Sequence, residues 1–264
     1  MPPTTHLLVH PDVRRMLLEA RAWNEAARAL ALWASLQVDL AHRSPDEHER
    51  ETADDLLGLL TPVIKSYLTD KGFAAAVSAQ QVFGGHGYIR EHGMEQFVRD
   101  ARITQIYEGT NGVQAMDLVG RKLPKDNGRA VRAFFDLVGK DIAEAKAAGD
   151  PAGVAAALEP ALADLQAATM WLAQNGMADP YNAGAGAYSY QDLMGLTAFG
   201  WMWLKMAAAA RRALDSGTGD KSFYETKLSL ADFYAKRELS GSNALLKKVE
   251  AGAETVMRVP EEAF

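Results

Sequence analysis

The run Thr61-Pro-Val-Ile-Lys-Ser-Tyr-Leu-Thr-Asp-Lys-Gly-Phe-Ala-Ala-Ala-Val-Ser-Ala-Gln-Gln-Val-Phe-Gly-Gly-His-Gly-Tyr88 decides the fold class. Ile64, Leu68, Ala75, Ala79 and Val82 fall on one stripe at helical spacing, and Gly84-Gly85 supplies the stop. Thr61-Pro62 reads as a cap followed by a first-turn proline, so this helix is expected to begin there. Gly84-Gly85-His86-Gly87 could bring backbone N–H groups close to an anion. A dinucleotide fingerprint needs a strand before its glycines and a βαβ unit around them, whereas a helix precedes these. A doubly wound α/β fold is therefore not supported at the place that most suggests it.

Outward from this run the helical period continues in both directions. From His10-Pro11-Asp12, apolar residues recur at Val13, Met16, Leu17, Ala20, Ala27, Leu30, Ala31 and Ala34, predicting one helix to about Ala41. Ser44-Pro45-Asp46 stops it and starts another. Downstream, a short helix is expected over 94–103 and a second over 110–122. Leu123-Pro-Lys-Asp-Asn-Gly128 concentrates proline, charge and Asn-Gly between two helical patterns and marks a boundary. Beyond it, Val131 to Ile142, Leu158 to Leu172, Leu193 to Ala207 and Phe223 to Tyr234 each carry a core-spaced stripe, the last ending near Ser240-Gly241. No run alternates in the manner of a strand. The expected fold is all-α: two stacked helical bundles, residues 8–122 and 127–264, joined near residue 125.

Composition removes several chemistries. The 264 residues contain no cysteine, which excludes a disulfide framework, a thiolate nucleophile and a cysteine zinc site, and leaves a cytoplasmic location as the expectation. A net charge of −6 without a long basic run argues against nucleic acid as a partner. Met1-Pro-Pro-Thr-Thr-His6 does not have the pattern of a secretory leader. The apolar segment Leu193 to Ala210 is interrupted by Lys205 and reads as a buried central helix rather than a membrane span. All six histidines precede residue 93, and a di-iron bundle would need Glu-x-x-His on two helices, where only Asp39-x-x-His42 comes near. No metal is expected. Trp171, Tyr188, Tyr190, Trp201 and Trp203 are expected in the core or at the interface between the units.

Ile106-Tyr107-Glu108-Gly109-Thr110 places a carboxylate beside two apolar side chains and a glycine, in a loop between two short helices. Held in an apolar setting, such a group could serve as a general base. In isolation, the alternative is a solvated glutamate capping the helix that begins near Thr110.

Read together, Gln81-Val-Phe-Gly-Gly-His-Gly-Tyr88 and Arg99-Asp-Ala-Arg-Ile-Thr-Gln-Ile-Tyr-Glu-Gly-Thr-Asn-Gly-Val-Gln114 resemble the C-terminal helical domain of the acyl-CoA dehydrogenase flavoenzymes. That family carries Gln-x-x-Gly-Gly-x-Gly-(Tyr/Phe), then Arg-Asp and Ile-Tyr-Glu-Gly-Thr, in this order and at close to this spacing. Asn111-Gly112 and Asp117-Leu-Val-Gly-Arg-Lys122 look most like the larger subgroup that includes methylmercaptopropionyl-CoA dehydrogenase and has an additional C-terminal helical domain.

The resemblance implies FAD as cofactor and an acyl-CoA thioester as substrate, oxidised to its 2,3-enoyl form. Glu108 matches the base that removes the α-proton, and its N–H the donor that helps hold the thioester carbonyl. Tyr107 and Gly109 match positions beside the acyl chain. Thr110, Asn111 and Gly112 match FAD contacts at a helix start. Gln81, Gly84, Gly85 and Gly87 match a loop that approaches the FAD of a neighbouring subunit, which implies at least a dimer. Electron-transfer flavoprotein is the acceptor the family implies. Members also carry an upstream helical domain, a β-domain and an Arg-x-x-(aromatic)-Gly FAD segment, none of which lies in these residues. The expectation is thus a fragment or a subunit needing a partner, inactive as the isolated chain; a non-catalytic helical interaction protein derived from this fold is the alternative.

Overall fold

A computed structural model describes residues 6–264, so the reading of Met1 to Thr5 lies outside the described residues. Among those described there are helices and turns and no strand. Helix α1, Pro11–Arg43, starts on a first-turn proline and ends with His42 and Arg43 in its last turn, where cations offset the exposed carbonyls. Three residues later α2, Glu47–Val82, starts under Asp46, whose side chain accepts from the His48 N–H. A connection this short makes the pair antiparallel. Trp23, Ala26 and Leu30 of α1 meet Leu56, Leu59, Leu60 and Val63 of α2 in the core.

Helix α2 corrects the expected start at Thr61. It runs unbroken through Pro62, which is buried, while Thr61 Oγ1 donates to the Leu57 carbonyl at 2.7 Å and Ser66 Oγ to the Pro62 carbonyl at 2.6 Å. Proline removes one backbone donor, but packing of the surrounding leucines outweighs that local cost.

Two short helices follow, α3 over Met94–Ile103 and α4 over Asn111–Asp117, the latter running into a wide π turn, Leu118–Lys122. Past the linker come α5, Arg129–Ala147, α6, Val154–Ala178, and α7, Pro180–Asp215. Helix α8, Lys221–Arg237, is followed by α9, Ser242–Glu250, which the sequence reading did not anticipate.

Helix α7 is the axis of the molecule. Its most apolar window is 78% buried inside the protein, which accounts for hydrophobicity sufficient, by length and composition, to cross a membrane. Two glycines let it approach its neighbours closely. A Cβ on Gly195 would stand 2.2 Å from the Tyr67 ring of α2, and one on Gly200 would stand 2.8 Å from Leu239 and 2.9 Å from Leu158.

The hydrophobic core passes through both halves without a break, from Leu30 and Leu60 through Leu118 and Phe134 to Trp201, Trp203 and Tyr234. Polar contacts also span the linker. Trp203 Nε1 donates to the Ala22 carbonyl at 3.2 Å, Trp23 Nε1 to Glu238 at 2.9 Å, and Lys227 pairs with Glu25 at 2.5 Å. Arg129, just past the linker, holds the buried Asp55 through two hydrogen bonds. This joint core positions α7 beside the loop between α3 and α4.

Candidate functional site

Residues 105 to 111 leave α3 and return to α4 as a small closed loop. The Asn111 N–H donates to the Gln105 carbonyl at 3.1 Å and closes its neck. At its tip, Glu108 and Gly109 occupy the left-handed region in succession, with φ of 56° and 81°. Gly109 suits that region; glutamate does not, and a non-glycine residue persists there only when its surroundings fix it.

Here the fixing groups are identifiable. Lys65 Nζ donates to the Gly109 carbonyl at 2.7 Å, and Gln114 Nε2 to the Glu108 carbonyl at 3.0 Å. Burial lowers the pKa of Lys65, against the opposing pull of Asp70 and Glu108. The Glu108 N–H has no acceptor among the described residues.

Asn111 is the buried anchor. Its Oδ1 accepts from Lys65 at 2.7 Å, and its Nδ2 donates to the Ser66 carbonyl at 3.2 Å, Thr69 Oγ1 at 3.0 Å and Asp70 Oδ1 at 2.7 Å. Asn111 spends its side chain and its N–H internally, and Thr110 Oγ1 accepts from Val113, so donors facing outward there are few.

A revision concerns Glu108 itself. The apolar enclosure anticipated from Ile106 and Tyr107 is not formed within the described residues, because Ile106, Tyr107 and Glu108 are all exposed. Next to the loop opens a groove of about 440 Å³, lined among others by Asp70, Arg102, Thr110, Gly112 and Tyr188.

Gln81 and the glycines sit at the far end of α2. Lys65, which grips the loop, and Gln81 are 16 residues apart on that helix, about 24 Å at 1.5 Å per residue. Within one chain the two motifs therefore do not converge. Gln80, not Gln81, braces the glycine turn by donating to the Gly87 carbonyl at 3.1 Å, while Gln81 is exposed. Gly84 has φ 59°, and a Cβ on Gly87 would stand 2.5 Å from the Gln80 carbonyl oxygen, so the turn itself requires both glycines.

Gly85 and Gly112 differ, since neither lies in the left-handed region and a Cβ on either would meet nothing within 4 Å. Internal packing does not explain them. Their bare backbone is open to solvent.

Sequence reasoning missed Lys65, Asp70, Gln105 and Tyr188. The signal for the first two was present, since Lys65, Ser66, Thr69 and Asp70 form a polar stripe on a helix that is otherwise apolar there. Of the five aromatics placed in the core or at the interface, Tyr190, Trp201 and Trp203 are fully buried, whereas Tyr188 reaches Asp70 at the edge of the groove.

Comparison with known proteins agrees with this architecture. Residues 4–123 match the family model described as acyl-CoA dehydrogenase, C-terminal domain, and residues 134–260 match one described as acetyl-CoA dehydrogenase C-terminal like. The chain belongs to the acyl-CoA dehydrogenase family. It is 39% identical to 3-methylmercaptopropionyl-CoA dehydrogenase of Ruegeria pomeroyi, over 88% of this chain and 40% of that protein. It is 32% identical to the broad-specificity linear acyl-CoA dehydrogenase FadE5 of Mycobacterium tuberculosis, over 99% of this chain and 44% of that one. The structure of Caenorhabditis elegans ACDH-11 in complex with C11-CoA superposes with a TM-score of 0.68 at 21% identity, over 88% of this chain and 37% of that chain. That likeness shows the fold. The chain thus spans less than half the length of these family members.

Proposed function

We propose that these residues provide the catalytic base and part of the cofactor site of an FAD-dependent acyl-CoA dehydrogenase. The observation that carries this reading is the turn at Glu108-Gly109, where two successive left-handed residues sit on a loop closed at its neck and gripped by Lys65, Gln114 and Asn111. The turn leaves both the Glu108 carboxylate and its N–H without internal work, which is what the chemistry needs. The N–H would donate to the thioester carbonyl and stabilise charge developing there, making the α-carbon acidic. The carboxylate would then take the α-proton. Bound FAD supplies the acceptor for the hydrogen leaving the β-carbon, so the product is the 2,3-enoyl thioester.

Thr110 and Gly112 would face the cofactor directly, with Asn111 holding them in place from behind. Tyr107 and Gly109 would flank the acyl chain. Gln81, Gly84, Gly85 and Gly87, remote from Glu108 in one chain, would serve the cofactor of a second copy, making the working unit at least a dimer. Tyr88, Phe97, Ile103, Ile106, Tyr107 and Val113 leave apolar surface exposed on α3, α4 and their flanking loops. Covering that surface with the remaining enzyme would bury it and supply the dry surroundings the loop lacks by itself. Electron-transfer flavoprotein would reoxidise the cofactor.

The test uses the holoenzyme that contains this chain. Glu108→Gln should abolish acyl-CoA-dependent flavin bleaching while FAD stays bound, a loss expected to exceed about 10³-fold for a base acting in the chemical step. Bleaching at the unmodified rate would overturn the assignment.

A further inference from the structure

Asp70 carries both posts of the Glu108 loop. Its Oδ1 accepts from Gln105 Nε2 at 2.5 Å and from Asn111 Nδ2 at 2.7 Å, the two residues whose backbones close the neck. Its Oδ2 accepts from the Tyr188 hydroxyl at 2.6 Å. Tyr188 stands on α7, beyond the linker and 118 residues later in sequence. A carboxylate on a short stem swings unless both oxygens are held; with Oδ2 fixed by Tyr188, Oδ1 stays aimed at the two amides.

Tyr188 differs from the other aromatics of its helix. It is 40% exposed, whereas Tyr190, two residues on, is fully buried with its hydroxyl 2.8 Å from that of Thr169 on α6. A core residue would gain from deeper burial; Tyr188 instead reaches a carboxylate that organises the loop. Burial and the adjacent Asp70 raise the Tyr188 pKa, so the phenol keeps its proton and remains a donor.

We propose that Tyr188 is a positioning residue for the Glu108 loop, and that through its bond to Asp70 the second helical unit sets the orientation of the base. This rests on the reading of Glu108 given above. It assigns the second unit a part in the reaction, carried by the hydrogen bond from Tyr188 to Asp70.

Tyr188→Phe in the holoenzyme keeps the ring and removes the donor. The expected result is a kcat lowered roughly tenfold, with KM and FAD binding changed by less than about twofold, since a displaced base costs the chemical step rather than binding. Amide hydrogen exchange across residues 105–112 should accelerate roughly five- to tenfold. Tyr190→Phe is the matched control: it removes one hydrogen bond from the same helix, on the side facing α6, and should leave kcat and loop exchange unchanged. Asp70→Asn combined with Tyr188→Phe should be no worse than Asp70→Asn alone if the tyrosine acts through that carboxylate.

Wild-type kcat and wild-type loop exchange in Tyr188→Phe would overturn the proposal. So would a Tyr190→Phe that loosens the loop equally, because the effect would then be general to the helix. The exchange measurement does not depend on the chemistry. Should Glu108→Gln retain full activity, the base assignment falls, while exchange in Tyr188→Phe still decides whether α7 holds the loop.

Discussion

Glu108 occupies a backbone conformation that disfavours L-residues by roughly 1–2 kcal/mol, and four hydrogen-bonded contacts around the loop hold it there. Glycine adopts the same φ without that cost, though it surrenders more freedom on folding. Glu108→Gly should therefore leave the denaturation midpoint unchanged or raise stability by up to about 1 kcal/mol, while acyl-CoA oxidation is lost. A clear fall in urea midpoint would show that the glutamate side chain stabilises the loop. At this scale, Glu108, Gly109 and Thr110 were legible as a short string of types. Lys65 and Asp70 were legible only as part of a polar stripe, and their tie to the loop was not, because Lys65, Asp70 and Tyr188 lie 35 residues or more from the groups they hold, and no local pattern records which distant polar group will meet a given partner.

Among the elements, α2 and α7 illustrate opposite outcomes of reading periodicity. The Thr61-Pro62 signal suggested a helix start, yet α2 continues through it, because one lost backbone bond is small beside the burial of Leu56, Leu59, Leu60 and Val63. For α7 the apolar run predicts a buried helix, and the helix is buried. What its sequence did not announce is how closely α2 approaches Gly195. Gly195→Ala gains intrinsic helix propensity but places a methyl against the buried Tyr67 ring, 2.2 Å from its nearest atom. The steric term should win, destabilising the protein by about 1–3 kcal/mol in chemical denaturation. A stabilised variant would show that α7 can shift away from α2 at little cost.

Over the whole molecule, the two helical stretches share one core, and their meeting places charges that neither would bring together alone. Asp192 of α7 is pushed up to about 6 by its burial, reinforced by the negative charge of Asp70 on α2, with Lys71 and Lys248 pulling the other way. A carboxyl whose folded pKa lies above its unfolded value of 3.8 contributes stability that is present below about pH 4 and lost as pH rises through 6. Asp192→Asn should thus be more stable than the parent at pH 7, by up to about 3 kcal/mol. The gap should close as the pH approaches 4. Thermal melts across that range check it, and a difference independent of pH would contradict the assignment.

The sequence by itself determined the all-α class, most of the helices and the two glycine-containing motifs, since these follow from spacing, caps and turn residues that act within a few positions; the start of α2 and the presence of α9 do not. It also determined the family, through motifs whose order and spacing survive in one dimension. Only the tertiary structure decided that the two motifs lie apart within a chain, that Asn111 faces inward, and that a tyrosine from the far half braces Asp70. Hydrophobic burial is non-directional, so an apolar stripe shows that a helix face must be covered without specifying by which partner. The polar contacts that single out Asp70 and Tyr188 come into being once that partner is in place.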